Sequence, residues 1–414
     1  MRDSLSSSGR KAAFLGGYVV LPLMLMVVCV QNFWAWWEAH NGTRDGLAMA
    51  IRIQPRNPDY PLQLGTNYLH EDPGMAAELI ERSTRLSPHS AEAWLALAEA
   101  YGRLGRVNDQ QHAIFTALDN APKNIEVEWL AANLYLTLGE FNQSFPLYRD
   151  VLSSKGARIE AISPVLFSVC NGDARKMLDA MPETFEARLR LTRWLVAQNH
   201  GEQADLIWPI VSESAEKFKA RQAVFYIESL IARRETQKAY DVWKALAGKD
   251  AAFADRIEAG NIVSNGDFEN DLEMHGFDWV LNKREGISAS ADSSSFHGGN
   301  VSLSVSFDTN IVSDGDLYEY VPLEPSTSYV LRGFIHADEL QTANGIRLGV
   351  VDPDTHENLG MTEPFVGTLP WREFEVRFTT GPSVKIGRLS FMRVPPNGII
   401  KGKVWVDELR IEKK

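Results

Sequence analysis

Cysteine is nearly absent from this 414-residue chain: only Cys29 and Cys170 are present. One lies in an apolar run and the other in a helical pattern, so neither a disulfide framework nor a thiolate metal cage is encoded. Basic charge is in deficit. Lys and Arg number 42 against 54 Asp and Glu, leaving a net charge of -12. That balance repels a phosphate backbone and argues against broad nucleic-acid affinity. Catalytic signatures are missing as well. There is no Gly-rich phosphate loop, no G-x-S-x-G and no H-E-x-x-H, and nothing singles out a carboxylate pair as acid and base. The expectation is a binding protein rather than an enzyme, with no organic cofactor.

Charge is also missing locally, from Ala12 to Trp37. A helix of that length reaches about 39 Å, against about 30 Å for a hydrocarbon core. Arg2, Arg10 and Lys11 precede it, and Phe33, Trp34, Trp36 and Trp37 cluster at its far end. The pattern predicts a cytoplasmic tail over 1–11 and a transmembrane helix over 12–37. The remainder is then expected outside the cytoplasm, on a single-pass protein of the inner or plasma membrane. A cleaved signal peptide is the rival, weakened by the length of the run and the lack of a small-x-small site after it.

What is present begins with a repeat. Between Ala91 and Asn124, Trp94, Leu97, Ala98 and Tyr101 share one helix face, Gly105 allows a turn, and Ala113, Ile114, Ala117 and Leu118 share a second face before Pro122. Two such helices cannot bury both apolar faces alone, so neighbours of the same kind are required. Ala98, Tyr101 and Gly105 recur as Ala132, Tyr135 and Gly139, and Trp129 stands one place out of step with Trp94. Upstream, Leu64, Gly65 and Tyr68 match the first helix, and Ala76, Ile80, Ser83 and Pro88 match the second. The pattern resembles the tetratricopeptide repeat family, with two departures: Gln110 stands where a small residue opens the second helix, and Ala98 replaces Gly. Trp94 and Tyr101 are expected to be buried between helices.

That resemblance implies a concave groove lined by Glu92, Leu95, Glu99 and Gly102, then by Glu126, Trp129, Asn133 and Leu136. Three glutamates around apolar anchors suit a basic or amphipathic peptide from a protein partner. The phase is lost over 156–182, where Gly156, Pro164, Gly172 and Pro182 punctuate short apolar pieces. Helical period returns from 184 and runs to about Ile257, so a helical repeat domain is expected over 38–259.

From Gly260 the period drops to two. Val301, Leu303, Val305 and Phe307 alternate with serines, and Phe374, Val376 and Phe378 alternate with charges. Turn signals such as Asn265-Gly266 and Pro325-Ser326 separate the runs. An all-β sandwich of eight to ten strands is expected over 260–414. Four pieces in order carry a resemblance: 261–269 with Asn265-Gly-Asp-Phe-Glu269, then Trp279, His297-Gly-Gly-Asn300, and Trp371 before the closing Val404-Trp-Val-Asp-Glu-Leu409. This order resembles galactose-binding-like jelly rolls, in particular carbohydrate-binding modules appended to glucanases and xylanases. The resemblance implies a structural calcium held by Glu269 and Asp407; the alternative is a pair of surface carboxylates. It also suggests that Trp279, Trp371 and Trp405 belong to the core.

Alternation picks out candidate sugar contacts. Tyr329, Leu331, Gly333 and Ile335 read as inward, so Arg332, Phe334, His336 and Asp338 face outward; Ile346, Leu348 and Val350 read as inward, so Arg347 faces outward. Tyr318 and Tyr320 share a face. Aromatic plus basic residues on an open sheet suit a glycan, above all an acidic one; a solvated face with one stray phenylalanine is the plainer alternative. The whole reads as a multidomain protein, an all-α helical-repeat solenoid followed by an all-β jelly-roll sandwich, with one N-terminal transmembrane helix. Its expected work is scaffolding and glycan binding in bacterial envelope or exopolysaccharide assembly. The alternatives are a pure protein-interaction scaffold with a structural sandwich, and a targeting subunit for a separate glycan-active enzyme.

Overall fold

The computed structural model describes residues 4–154, 159–213, 220–249, 254–256, 258–273, 275–282 and 284–414. The chain divides into two compact units, Met1–Arg188 and Leu189–Lys414. The first is helical. The second holds the last helices together with a β-sandwich.

The first unit opens with α1 (Ser4–His40). Among the described residues, no helix is long and apolar enough to cross a membrane. The expected transmembrane helix over 12–37 is therefore not supported; the side chains up to Leu21 lie outside the described residues. There follow α2 (Arg44–Ile53), α3 (Asp59–Tyr68), α4 (Pro73–Leu86), α5 (Ala91–Arg103), α6 (Val107–Asn120), α7 (Ile125–Thr137) and α8 (Phe141–Ser153). Side chains start several of them. Thr43, Asp72, Ser90 and Asn124 each accept a first-turn N–H as N-caps. Consecutive helices bury small faces against one another, with Ala76, Ile80, Ala93, Ala98, Ala113, Ile114, Ala117 and Ala131 in one shared core. The departure at Gln110 has a steric reason: a Cβ on Gly102 would come within 2.7 Å of the Gln110 side chain. Glycine on the first helix makes room for a buried glutamine on the second. The stretch 156–182, where the sequence loses phase, contains α9 (Ile159–Val169), α10 (Ala174–Met177) and a short 3-10 turn. Pro164 sits inside α9.

One turn recurs. The N–H groups of Arg106, Glu140, Gly172, His200 and Glu235 each reach back five residues, to the carbonyls of Tyr101, Tyr135, Phe167, Leu195 and Leu230. The residue before each donor is left-handed: Gly105, Gly139, Asn171, Asn199 and Arg234. This is the helix-ending motif in which one positive-φ residue satisfies carbonyls of the last turn. Five hairpins therefore share one local device, including those closed by α11 (Phe185–Ala197) with α12 (Gly201–Ser212), and α13 (Val224–Ala232) with α14 (Thr236–Ala247). The helical repeat thus continues through the stretches where side-chain identities have drifted.

In the second unit, two five-stranded antiparallel sheets face each other. Sheet A runs β1 (Val280–Leu281), β4 (Leu317–Pro322), β9 (Ile386–Met392), β6 (Arg347–Val351) and β7 (Asn358–Met361). Sheet B runs β2 (Ile287–Asp292), β3 (Ser302–Ile311), β10 (Asn397–Lys413), β5 (Ser328–Thr342) and β8 (Gly367–Thr379). Inward residues at period two fill the space between: Leu303, Val305, Leu331, Ile335, Leu348, Val350, Val404 and Val406. Trp279 joins this core against Phe268 and Phe391. Within the same unit α14 packs on the sandwich, its Tyr240 and Trp243 meeting Phe277 edge-on at 5.3 and 6.1 Å.

Burial sets the expected energetics of the repeats. Tyr101 is buried as read, but Trp94 is only half-buried, with its Nε1–H donating to the Pro88 carbonyl at 2.8 Å. Ile114, wholly inaccessible, should be the costlier truncation. Ile114→Ala is expected to lose about 2–5 kcal/mol, and Trp94→Ala less than that. Denaturant unfolding followed by hydrogen exchange should place both losses in α3–α8, since repeats couple mainly to their neighbours. A larger loss for Trp94→Ala would contradict this ranking.

Candidate functional site

The sequence-derived sugar residues fall on two sheets. On the outer face of sheet B, β5 presents Arg332, Phe334 and His336 outward, as the alternation requires. None of the three stands open. The Phe334 ring is covered by His297, stacked at 3.5 Å and 10°. Arg332 is held by Glu375 at 2.9 Å and Glu412 at 3.7 Å. The His336 Nδ1–H donates to the Leu369 carbonyl, and its ring lies between Trp371 and Trp405, 5.6 and 4.8 Å away. Both tryptophans thus lie on this outer face, Trp371 half-buried and Trp405 buried within the aromatic layer. The signal was in the sequence: Phe374 and Val376 point in, so Trp371 points out, and Val404 and Val406 bracket Trp405 in the same way. The Trp405 Nε1–H donates to Asp292, which also pairs with Lys403 at 2.6 Å. Lys403, Ser294 and Trp405 together hold the Asp292 carboxyl well below the usual carboxylate range.

Arg347, Tyr318 and Tyr320 lie on sheet A. Strand β6 follows β5 in sequence but pairs with β9 and β7, so Arg347 does not join Arg332 and Phe334. Its Nη1–H donates to the Thr362 carbonyl at 2.7 Å. Tyr318 and Tyr320 are both half-buried and meet edge-on at 5.1 Å. Burial raises the Tyr318 hydroxyl to about 12. Arg388 lies over the Tyr318 ring and is paired with Asp314. Beside Tyr320 is a cleft of about 530 Å3 whose walls include Arg234, Asp352, Asp354 and Lys385.

Glu269 and Asp407 clamp the loop that carries His297. Glu269 accepts from the Asn300 and Val301 N–H groups and from the Asn300 side chain. Asp407 accepts from the His297, Gly298 and Glu408 N–H groups. Both carboxylates already serve backbone donors. Among the described residues, no group of three or more acidic, histidine or cysteine side chains is gathered for a metal ion.

In the repeats, five of the eight expected groove residues converge. Glu92, Leu95, Glu99, Glu126 and Asn133 line one cavity of about 570 Å3, with Leu130 and Leu134 as its apolar wall. Trp129 is not part of that lining; its ring sits edge-on to Tyr148 at 6.0 Å. Leu130, one residue further on, lines the groove instead. Gly102, facing Gln110, and Leu136 are likewise outside the lining.

A family model described as a carbohydrate binding domain matches residues 260–396. The second unit therefore carries a carbohydrate-binding module. Among solved structures, one titled "CBM4 structure and function" is 13% identical, covering 37% of this chain and 99% of that one at a TM-score of 0.29. A xylan-binding domain, CBM22-1 of Paenibacillus barcinonensis Xyn10C, is 12% identical over 38% of this chain and 97% of its own, at a TM-score of 0.27. The helices are similar to YrrB, described as a TPR protein with an unusual peptide-binding site, at 10% identity, 50% of this chain, 94% of that chain and a TM-score of 0.26. No curated protein sequence matches the chain.

Sequence reading missed a buried acid in this module. Glu319 lies between Tyr318 and Tyr320 on β4 and so points into the sandwich, fully inaccessible. Its Oε1 accepts from the Ser264 N–H at 2.7 Å, while Oε2 meets no hydrogen-bond partner among the described residues. Burial pushes its carboxyl well above the ordinary value; the Ser264 N–H opposes this, and the nearby Asp278 adds to it. The folded state therefore keeps a proton that the unfolded chain gives up near pH 4.3. The resulting stability is complete below that pH and is lost as pH rises towards the folded value. Glu319→Gln, which is neutral at every pH, is expected to raise the melting temperature at pH 8 and to flatten its decline above about pH 4. Parallel melting profiles of the two proteins from pH 4 to 8 would show that Glu319 does not cause the decline.

Proposed function

We propose that this chain is a non-catalytic binding protein that joins a glycan, taken by the C-terminal module, to a protein partner, taken by the repeat groove. The observation that carries the reading is the carbohydrate-binding family match over 260–396, on strands that form a two-sheet sandwich with a filled core. The groove supports the second half. Three carboxylates ring an apolar wall of Leu95, Leu130 and Leu134, which suits an amphipathic segment with basic residues beside its apolar ones. Such a pairing fits work outside the cytoplasm, where envelope or secreted polysaccharide is assembled, and needs no bound calcium. The scaffold alternative would have the sandwich bind no sugar at all.

Two measurements test this reading. The full chain should bind members of a broad glycan array. Reversing charge at Glu92, Glu99 and Glu126 together should weaken capture of a synthetic Lys/Leu amphipathic peptide at least tenfold, with less effect in high salt, where surface electrostatics are screened. Unchanged capture by a folded triple variant would remove the groove from the reading, and a blank array would leave the scaffold.

A further inference from the structure

The cleft beside Tyr320 has features that the expected flat sugar platform lacks. Its walls come from three places: the turn between α13 and α14, the loop at 352–355, and the loop at 383–386. Its volume of about 530 Å3 lies within the range of about 300–1,000 Å3 typical of small-ligand pockets. Tyr320 offers a half-buried aromatic ring on a rigid strand. Asp352 is buried and fixes its loop, accepting the Asp354 N–H at 2.9 Å. Asp354 forms an ion pair with Arg234 at 3.1 Å, and Lys385 adds a further donor to the lining.

Arg234 carries a second, independent signal. It stands at the left-handed position of the recurring turn, with φ of 63°, where four other hairpins have Gly or Asn. A long branched-off side chain is costly there, because its Cβ crowds the neighbouring carbonyl. The repeat geometry alone favours glycine. What the arginine adds is a guanidinium in the cleft.

We propose that this cleft binds the end of a neutral glycan chain, with the helical turn completing a site begun by the sandwich. The inference rests on the glycan reading of the module and names where the sugar sits. Tyr320 supplies an apolar surface for the C–H face of a ring. Asp354 and Asp352 accept hydrogen bonds from hydroxyls, and Arg234 and Lys385 donate to hydroxyl or ring oxygens. The lining balances two cations with two carboxylates, and the chain as a whole carries a net charge of -12, so a polyanionic glycan is disfavoured. Walls on three sides suit a short oligosaccharide or a chain end better than a polymer lying across an open sheet. Arg234 lies outside residues 260–396, so the site is completed by the helical region of this chain.

The test is calorimetric titration of the full chain with neutral gluco-, xylo- and manno-oligosaccharides of two to six residues, and with a charged uronic-acid series. At least one neutral series should bind, more tightly than the uronic acids. Tyr320→Ala and Asp354→Asn should each weaken it tenfold or more. Arg234→Gly should also weaken it while leaving the melting temperature equal or higher, because glycine relieves the left-handed turn; that pairing separates a binding role from a folding one. Retained affinity in all three folded variants, with loss in Trp371→Ala on the other sheet, would overturn the cleft while leaving the glycan reading intact. Tighter binding of the uronic acids would overturn the neutral-glycan assignment. Failure of the unaltered chain to bind any probe, or any member of the glycan array, would overturn both.

Discussion

The second unit depends on one strand. The final strand, β10, is not an edge; it lies between β3 and β5 and hydrogen-bonds to both along most of its length. The start of the module is sewn to the same strand. The Asn261 side chain donates to the Leu409 carbonyl and accepts from the Ile411 and Val263 N–H groups. Gly266 lies so close that a Cβ there would come within 2.1 Å of the Leu409 carbonyl oxygen. The family match ends at residue 396, one residue short of β10, yet sheet B has no middle without it. The pairing is also the module's most non-local one. It therefore carries a large loop-closure cost, which the ladders to β3 and β5 offset.

That central strand also accounts for what the outer face of sheet B does. Asp407 on β10 and Glu269 near the module's start hold the 297–301 loop from two sides, and the loop brings His297 over Phe334. Trp371, His336 and Trp405 form an aromatic layer, tied down by Asp292 and Lys403. Arg332, His336, Trp405, Asp292 and Lys403 there each have a partner inside the fold.

Sheet A is arranged differently. The α13–α14 hairpin lies against this end of the module through Phe277 and the Arg234–Asp354 pair, and a polar cleft remains beside Tyr320. Beneath the two tyrosines sits the Glu319 carboxyl, an acid with one oxygen unmet among the described residues. Such a group lowers stability at neutral pH. The helices and the sandwich of this unit are thus one packed body, although their sequence grammars differ completely.

The amino-acid sequence by itself determined the elements. The 3.6-residue period, with Ala98, Tyr101 and Gly105 recurring one repeat later, gives helical hairpins because only that spacing buries a common face. The two-residue period after Gly260 gives strands, and it correctly turns Arg332, Phe334 and His336 away from the core. The turn at Gly105 was equally legible, since its physics is confined to a few neighbouring residues. Five of the eight groove positions followed from repeat phase, whereas Gly102, Trp129 and Leu136 lie outside the lining. Tertiary structure decided everything that depends on partners distant in sequence. Strand order put Arg347 on the opposite sheet from Arg332, because adjacency along the chain does not fix adjacency in a sandwich. A loop some forty residues upstream covered Phe334, and Glu269 and Asp407 turned to backbone N–H groups of that loop. The cleft beside Tyr320 joins side chains from a helical turn and two sandwich loops, and no periodicity within any one of them encodes that meeting.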